Sequence, residues 1–445
     1  MIVIMLEEQA MATLDLQTRL SIYERAQQGV TDRENAREHQ CSISAVRKWR
    51  RRITRAGRAG AQTTLGRPAH GALSTFATPV VARVKRMREG HPGWGPQTLR
   101  VELTQDEALM GQSVPSRSSL AAWLWEHDYT RDYQRHQMLP NTIEQKADAP
   151  HTVWQMDGRG QSFVPDIGVI ELINVNDVCS RAKLMSYPCE LGGLRATRLP
   201  NRLDYQLTLR LTFSEWGLPD CLAVDHESIF YDNVSSSPFP TPFHLWLVGL
   251  GVPLTFCRPD CPTDQGMTER SHQTWQHQVL DGQSFADWSS LYHALRARRT
   301  FLNESLPCAP LDHQPPLVAF PTARIPRRRY RPEYEATLFD LTRVHAYLSH
   351  CRWFRRVHPG GTISLGGYSY SVGMAWLRQQ VEITFDPVGL QFVIHDAAGT
   401  LIKRLPPKEL STHALLGELD RLTSLPFFQL HLPFSFEDWR VSRLF

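Results

Sequence analysis

Paired cysteines are missing. The eight cysteines, at 41, 179, 189, 221, 257, 261, 308 and 351, show no metal-ligand spacing, and several sit in apolar, strand-like runs. They read as reduced core residues of a cytosolic chain. The nearest approach to a zinc set, Cys257 and Cys261 with His350-Cys351 far downstream, lacks the spacing that zinc modules use. Also missing is a basic leader: residues 1–6 are apolar but soon meet Glu7-Glu8, so neither a signal peptide nor a membrane span is expected. A large net charge is missing too, the formal charge being +4 and the pI near 8.6. Hydrophobic content of 42% is ordinary for globular cores, and 445 residues allow about two to four domains.

The charge that is present is unevenly placed. Residues 47–58 hold seven Arg or Lys and no acid, and residues 324–331 hold five Arg. Clustered Arg is a footprint for phosphate backbones, with a solvated charge run as the alternative for either cluster.

Three carboxylates stand in informative places. Residues 259–276 place Glu269 on the polar stripe of a helix, entered at Pro262 and capped by Thr263 or Asp264. Gln265, Glu269, His272 and Gln276 share one face of it. Upstream, Thr152-Val-Trp-Gln-Met-Asp157 and Cys221-Leu-Ala-Val-Asp225 each read as a strand with a carboxylate at its end. Three carboxylates converging from two strand ends and a helix make an oxygen-rich cage that suits magnesium. Such a cage can hold two ions that clamp the attacking and leaving oxygens of a phosphoryl displacement. The alternative is that each Asp is an ordinary solvated strand end and Glu269 an ordinary helix residue.

Trp154-Gln-Met-Asp157, Asp177-Val-Cys-Ser-Arg181, Leu222-Ala-Val-Asp225 and Gln265-Gly-Met-Thr-Glu-Arg-Ser-His272, in this order, resemble the DDE transposase and retroviral-type integrase superfamily, in its bacterial insertion-sequence branch. The intervals, 157 to 225 and 225 to 269, are 68 and 44 residues; the second is longer than is common in integrases. A surface loop over residues 231–242 accounts for the excess. Where the family usually has Asn-Gly after the second Asp, this chain has His226-Glu227. The resemblance implies Asp157, Asp225 and Glu269 as catalytic metal ligands, two Mg2+ ions with Mn2+ as a substitute, and a multimer acting on double-stranded DNA. Helper proteins cannot be read from it. It also implies a bacterial, cytoplasmic, nucleoid-associated protein.

The expected fold class is multidomain α/β. Residues 1–55 read as a helix-turn-helix unit, with Ser42 capping a helix whose inner face carries Val46 and Trp49. Ser44, Arg47, Lys48, Arg50 and Arg51 would face DNA from it. The Gly usual in the turn is replaced by Gln40. Residues 56–75 read as a linker, where Leu65-Gly-Arg67-Pro68 resembles a minor-groove hook. Residues 76–135 resemble the second helix-turn-helix of these transposases: Ser116 caps, Arg117 and Ser118 point at DNA, and Leu120, Trp123 and Leu124 are core. Residues 136–150 are a second linker. Residues 151–305 form the catalytic core, for which the resemblance supplies a ribonuclease-H-like topology. Its last helix carries Arg296, Arg298 and Arg299 facing water or phosphate. Residues 306–359 are a Pro- and Arg-rich connector with Arg327, Arg328 and Arg329 as DNA contacts, and Arg270 joins them from the Glu269 helix. Residues 360–405 alternate apolar and polar between Gly turns, as a small antiparallel barrel does. Residues 406–445 are a tail of no assigned structure.

The function expected is that of a DNA transposase: it binds element ends, nicks a phosphodiester with metal-activated water and joins the freed 3′ end to target DNA. Two rivals share these features: a transposase-derived regulator that only binds DNA, and a nuclease without strand transfer. Glu227, two residues past Asp225, is expected to be dispensable.

Overall fold

The computed structural model describes residues 14–61, 71–130, 147–257 and 266–419. The chain divides into two compact units, one ending at Thr75 and one beginning at Phe76.

The first unit contains α1 (Leu16–Gln27), α2 (Asp32–Glu38) and α3 (Ile43–Ala56). Each helix starts on a side-chain cap: Asp15, Thr31 in a capping box with Glu34, and Ser42. These caps satisfy backbone amides that have no partner within the helix. Ile22, Ala36 and Val46 form the core between the helices, and Asn35 Nδ2 donates to the Ile22 carbonyl at 3.1 Å. Gln40 takes the left-handed conformation, φ 46°, at the turn into α3. A glycine would adopt this without strain; for another L residue it costs about 1 to 2 kcal/mol.

The second unit opens with α4 (Thr78–Gly90), α5 (Pro96–Gln105) and α6 (Arg117–Glu126). Ser116 caps α6, and Leu120, Trp123 and Leu124 are buried, as expected from the sequence.

The sheet that follows is built from β1 (Val153–Val164), β2 (Gly168–Asp177), β3 (Lys183–Glu190), β4 (Cys221–Val224) and β5 (Leu254–Phe256). Its order is β3-β2-β1-β4-β5. The pairs β1–β2 and β2–β3 are antiparallel, and β1–β4 and β4–β5 are parallel. Helices α7 (Arg202–Trp216) and α8 (Pro242–Gly249) lie between β3 and β5 in sequence. After β5 come α9 (Gly266–Trp275), continued by a π turn at Gln276–Leu280, and α10 (Trp288–Glu304). Three strands, a helix, a strand, a helix and a strand is the order expected for a ribonuclease-H-like core. Trp154, Met156, Ile173 and Val175 pack with α7 and α8 on one face, and Ile170 and Leu172 pack with α9 and α10 on the other. Burial on both faces explains why β2 reads as a nearly continuous apolar run.

The first helices of this unit rest on the far end of the core. Trp94 Nε1 donates to the Gln278 carbonyl at 3.3 Å, Gln278 Nε2 to Thr98 Oγ1 at 3.0 Å, and Gly93 touches the His277 backbone so closely that a Cβ would collide with it. Arg298 bonds Glu102 and lies 4.3 Å over the Trp94 ring, while Arg299, 5% exposed, bonds the Leu184 carbonyl and Glu215. Neither therefore faces water or phosphate: both long side chains are drawn into buried contacts that the helix pattern alone does not reveal.

Beyond α10 come α11 (Pro316–Ala319), α12 (Glu335–Leu338) and α13 (Leu341–Ser349). Six strands follow: β6 (Trp353–Arg356), β7 (Thr362–Leu365), β8 (Tyr368–Ser371), β9 (Gln380–Asp386), β10 (Gln391–His395) and β11 (Leu401–Leu405). The expected barrel does not close among the described residues. β11-β10-β9-β6 form one sheet, and β7 and β8 pair only with each other. The apolar face packs on the core instead of on itself: Phe239 lies 4.8 Å from the Trp353 ring and 6.0 Å from that of Phe392.

Helix α14 (Thr412–Leu416) buries Leu415 and Leu416. It joins a buried network in which Arg210, 2% exposed, forks onto Glu335, 0% exposed, with both bonds at 2.7 Å. Arg210 also donates to the Leu416 carbonyl at 2.6 Å, and Glu335 accepts from Trp246 Nε1 at 2.8 Å and from Tyr330. The connector and residues 406–419 are thus packed parts of this unit.

Candidate active site

Alternation along β1 sends Trp154 and Met156 into the core and leaves Gln155 and Asp157 on the opposite face. Asp157 is not at a strand end as expected. β1 continues to Val164, because its hairpin partner β2 is long and pairs Asp157 with Asn174. The parallel ladder pairs Val153, Trp154 and Gln155 with Cys221, Leu222 and Ala223. Two residues further along both strands this register sets Asp225, just past the end of β4, beside Asp157.

Helix α9 lies over this pair. Thr268 Oγ1 donates to Gln155 Oε1 at 3.1 Å, Ser271 Oγ meets Asn176 Oδ1 at 3.1 Å, and Trp275 is fully buried. His272 Nε2 comes within 3.7 Å of Asp157 Oδ2. Burial first, then the charges of Arg159 and Lys183, hold His272 down at about 4, so it is neutral near pH 7 and the approach is not an ion pair. Glu269 and Arg270 are exposed in the first turn of α9. Gln276, on the same stripe, accepts from Arg159 at 2.5 Å. Gln265 and the expected cap at residues 262–264 lie outside the described residues.

The Asp157 carboxyl is pushed up to about 8, by burial first and then by Asp225 and Glu227. Glu171, from β2, is raised by burial and by Glu227; Glu227 is raised by burial against the Tyr205 hydrogen bond. Tyr205, on α7, donates its hydroxyl to Glu227 Oε2 at 2.9 Å, and the Glu227 amide donates to Asp225 Oδ1 at 2.9 Å. Gly158 makes room for this cluster: a Cβ there would collide with Glu171 Oε1 and come within 2.9 Å of Tyr205 Oη. The carboxylates acting on Asp157 are Asp225, Glu227 and Glu171, and Glu269 is not among them. Sequence reasoning missed Glu171, Tyr205 and Gly158. The one available signal was a lone carboxylate inside the apolar run Val169-Ile-Glu-Leu-Ile173.

Among the described residues no three His, Cys, Asp or Glu side chains converge closely enough to hold a metal ion. The donor chemistry nevertheless fits one. Asp157 and Asp225 offer only oxygen, Mg2+ is commonly held by one or two carboxylates plus water, and Asp225 raises both Asp157 and Glu227. His272 Nε2, buried and without a hydrogen-bond partner, faces the same place.

No protein-family model matches the chain. Among solved structures it is similar to the magnesium-bound catalytic core of HTLV-2 integrase in its trimeric form: 14% identity over 39% of this chain and 99% of that one, TM-score 0.30. It is also similar to the simian T-cell lymphotropic virus intasome in complex with PP2A regulatory subunit B56 gamma: 13% identity, 70% and 96% covered, TM-score 0.32. A third similar structure is the catalytic core of BIV integrase: 15% identity, 39% and 95% covered, TM-score 0.27. The neighbours are retroviral integrases.

The expected DNA contacts fall in several places. On α3, Ser44, Arg47, Lys48, Arg50 and Arg51 are all exposed. Asp32 holds two of them, Arg47 at 3.2 Å and Arg50 at 2.5 Å. Arg117 and Ser118 are exposed at the start of α6. Arg327 pairs with Asp220 at 2.9 Å and Arg329 is exposed, but Arg328 is half-buried and bonds the Gly251 and Pro219 carbonyls, so it braces the connector. Arg67 lies outside the described residues. No helix among the described residues is long and apolar enough to cross a membrane.

Proposed function

We propose that the chain is a DNA strand transferase of the transposase and integrase type, in the bacterial insertion-sequence branch. It would nick a phosphodiester with water and then use the freed 3′ hydroxyl to attack target DNA. The observation that carries this is the register of the parallel strands β1 and β4, which sets Asp157 beside Asp225 under α9, with the Asp157 carboxyl raised by burial and then by Asp225 and Glu227. Asp157 and Asp225 would hold Mg2+ or Mn2+, with Glu269 reaching in from α9. Bound there, two such ions supply Lewis acidity and a more acidic water. Glu227 and Tyr205 brace Asp225 from below, and Arg270 meets phosphate. A multimer on double-stranded DNA follows from the need to hold two ends together.

The test is purified protein with terminal DNA of the element, scored for nicking and joining with Mg2+, Mn2+ or EDTA. Asp157→Ala, Asp225→Ala and Glu269→Ala should each abolish both steps and leave DNA binding nearly intact. Full joining by any of the three would sink the assignment. If Glu227→Ala is dead while Glu269→Ala is active, the third ligand is Glu227. A wild-type chain that binds terminal DNA and never nicks it leaves the regulator reading standing.

A further inference from the structure

Lys183 opens β3, half-buried, and its backbone is pinned from both sides. Its amide donates to Asn303 Oδ1 and its carbonyl accepts from Asn303 Nδ2, each at 2.8 Å, so α10 fixes the start of the strand. Across the ladder Lys183 faces Asn176, whose Oδ1 meets the Ser271 hydroxyl of α9. The residue before Ser271 is the exposed Arg270. Arg181 sits in the turn between β2 and β3, held at φ 60°.

Lys183 and Arg270 therefore come from a strand start and a helix to one side of the carboxylate pair. Burial first brings the Lys183 ammonium down to about 8, opposed by Cys308 and aided by the like charges of Arg181 and Arg270. Lys183 and Arg270 form no ion pair with a carboxylate of the described residues. Like charges held together in a half-buried place are unfavourable in the free protein and become favourable when an anion arrives.

We propose that Lys183, with Arg270, forms a subsite for a backbone phosphate of DNA, which holds the strand alongside Asp157 and Asp225. The identity of the ligand rests on the strand-transferase reading; the site itself can be tested by binding without turnover. The probe is a short blunt duplex of arbitrary sequence with the full chain in EDTA. Lys183→Gln should melt at or above the wild-type temperature, since a desolvated charge is gone. The slope of log affinity against log salt should fall by about 0.9, one lost phosphate contact. In the wild type, acetylation of Lys183 by a limiting reagent, read by mass spectrometry, should drop at least about threefold when duplex is present, in line with exclusion of reagent from an occupied site. An unchanged slope, or equal acetylation with and without duplex, overturns the proposal. If duplex protects Lys183 while the wild type never nicks DNA with Mg2+, the subsite stands and the strand-transferase reading falls. If the wild type nicks and Lys183 is unprotected, the subsite alone falls.

Discussion

Asp157→Asn should make the protein more stable and inactive at once. In the fold the carboxyl titrates near 8 instead of 3.8, because it is buried and faces Asp225 and Glu227. A folded-state pKa above the unfolded value means that the fold binds an extra proton. Its contribution to stability is complete below about pH 4 and is lost as pH rises through about 8. At pH 7 the loss is at most about 4 kcal/mol, from roughly three pKa units at 1.36 kcal/mol each. The Asp157 side chain keeps 18% of its exposure, and solvent screening there reduces the figure to about 2 kcal/mol. The amide of Asn carries no charge and can still accept from the Gly158 backbone. In EDTA at pH 8 the variant should therefore melt a few degrees above wild type, and its melting temperature should fall less between pH 5 and pH 8. Added Mg2+ should raise the wild type and leave the variant unmoved, because ligand binding stabilises only the form that binds. A variant that melts at or below wild type in EDTA across that pH range would refute the account of crowded, buried carboxylates.

Glu335→Ala strips the partner from a buried Arg210 and should cost about 3 to 5 kcal/mol in urea unfolding; a loss below about 1 kcal/mol would show that Arg210 finds water or another acceptor. Gly93→Ala drives a Cβ into the backbone of His277, which cannot swing aside, and should cost about 1 to 3 kcal/mol. Hydrogen exchange should then speed up in α4 to α6 and at residues 276–280 together, and unchanged protection would mean that the helices do not depend on that contact. Asp32→Asn frees Arg47 and Arg50 on α3, so DNA affinity should rise at low salt and the salt slope steepen by about 0.9 for each arginine that reaches a phosphate. Equal or weaker binding would mean that Asp32 positions these arginines for DNA and does not compete for them.

What the sequence made legible was local. Ser42 and Ser116 cap helices because a hydroxyl three residues before an amide needs only its own turn to form the bond. β1, β2 and β3 follow from apolar runs and the turn at Asp177–Arg181, and Leu120, Trp123 and Leu124 are core by helix period. The failures are all tertiary. Asp157 is inside its strand because β2 is long enough to pair beyond it. Arg298 and Arg299 are buried by Glu102 and Glu215, far away in sequence. The strands after Trp353 stay open because Phe239, from a loop more than a hundred residues earlier, covers their apolar face. Glu171 was passed over since one acid in an apolar strand carries no period, and only the fold sets it under Gly158 next to Tyr205.

The fork between Arg210 and Glu335 also sets a clock on synthesis. Arg210 belongs to the helix packed behind the carboxylate sheet, yet its partner arrives 125 residues later and the Leu416 carbonyl 206 residues later. At about 5 to 20 residues per second, the ribosome leaves that guanidinium without its carboxylate for roughly 6 to 25 s. During that interval α7 cannot bury Arg210 without stranding a charge, so the surface that supports Asp157 and Tyr205 stays loose. A nascent chain that stops short of Glu335 already contains every carboxylate of the site, but not the counter-charge that lets the site set. Assembly of the carboxylate site is thereby deferred until Glu335 and Leu416 have been made.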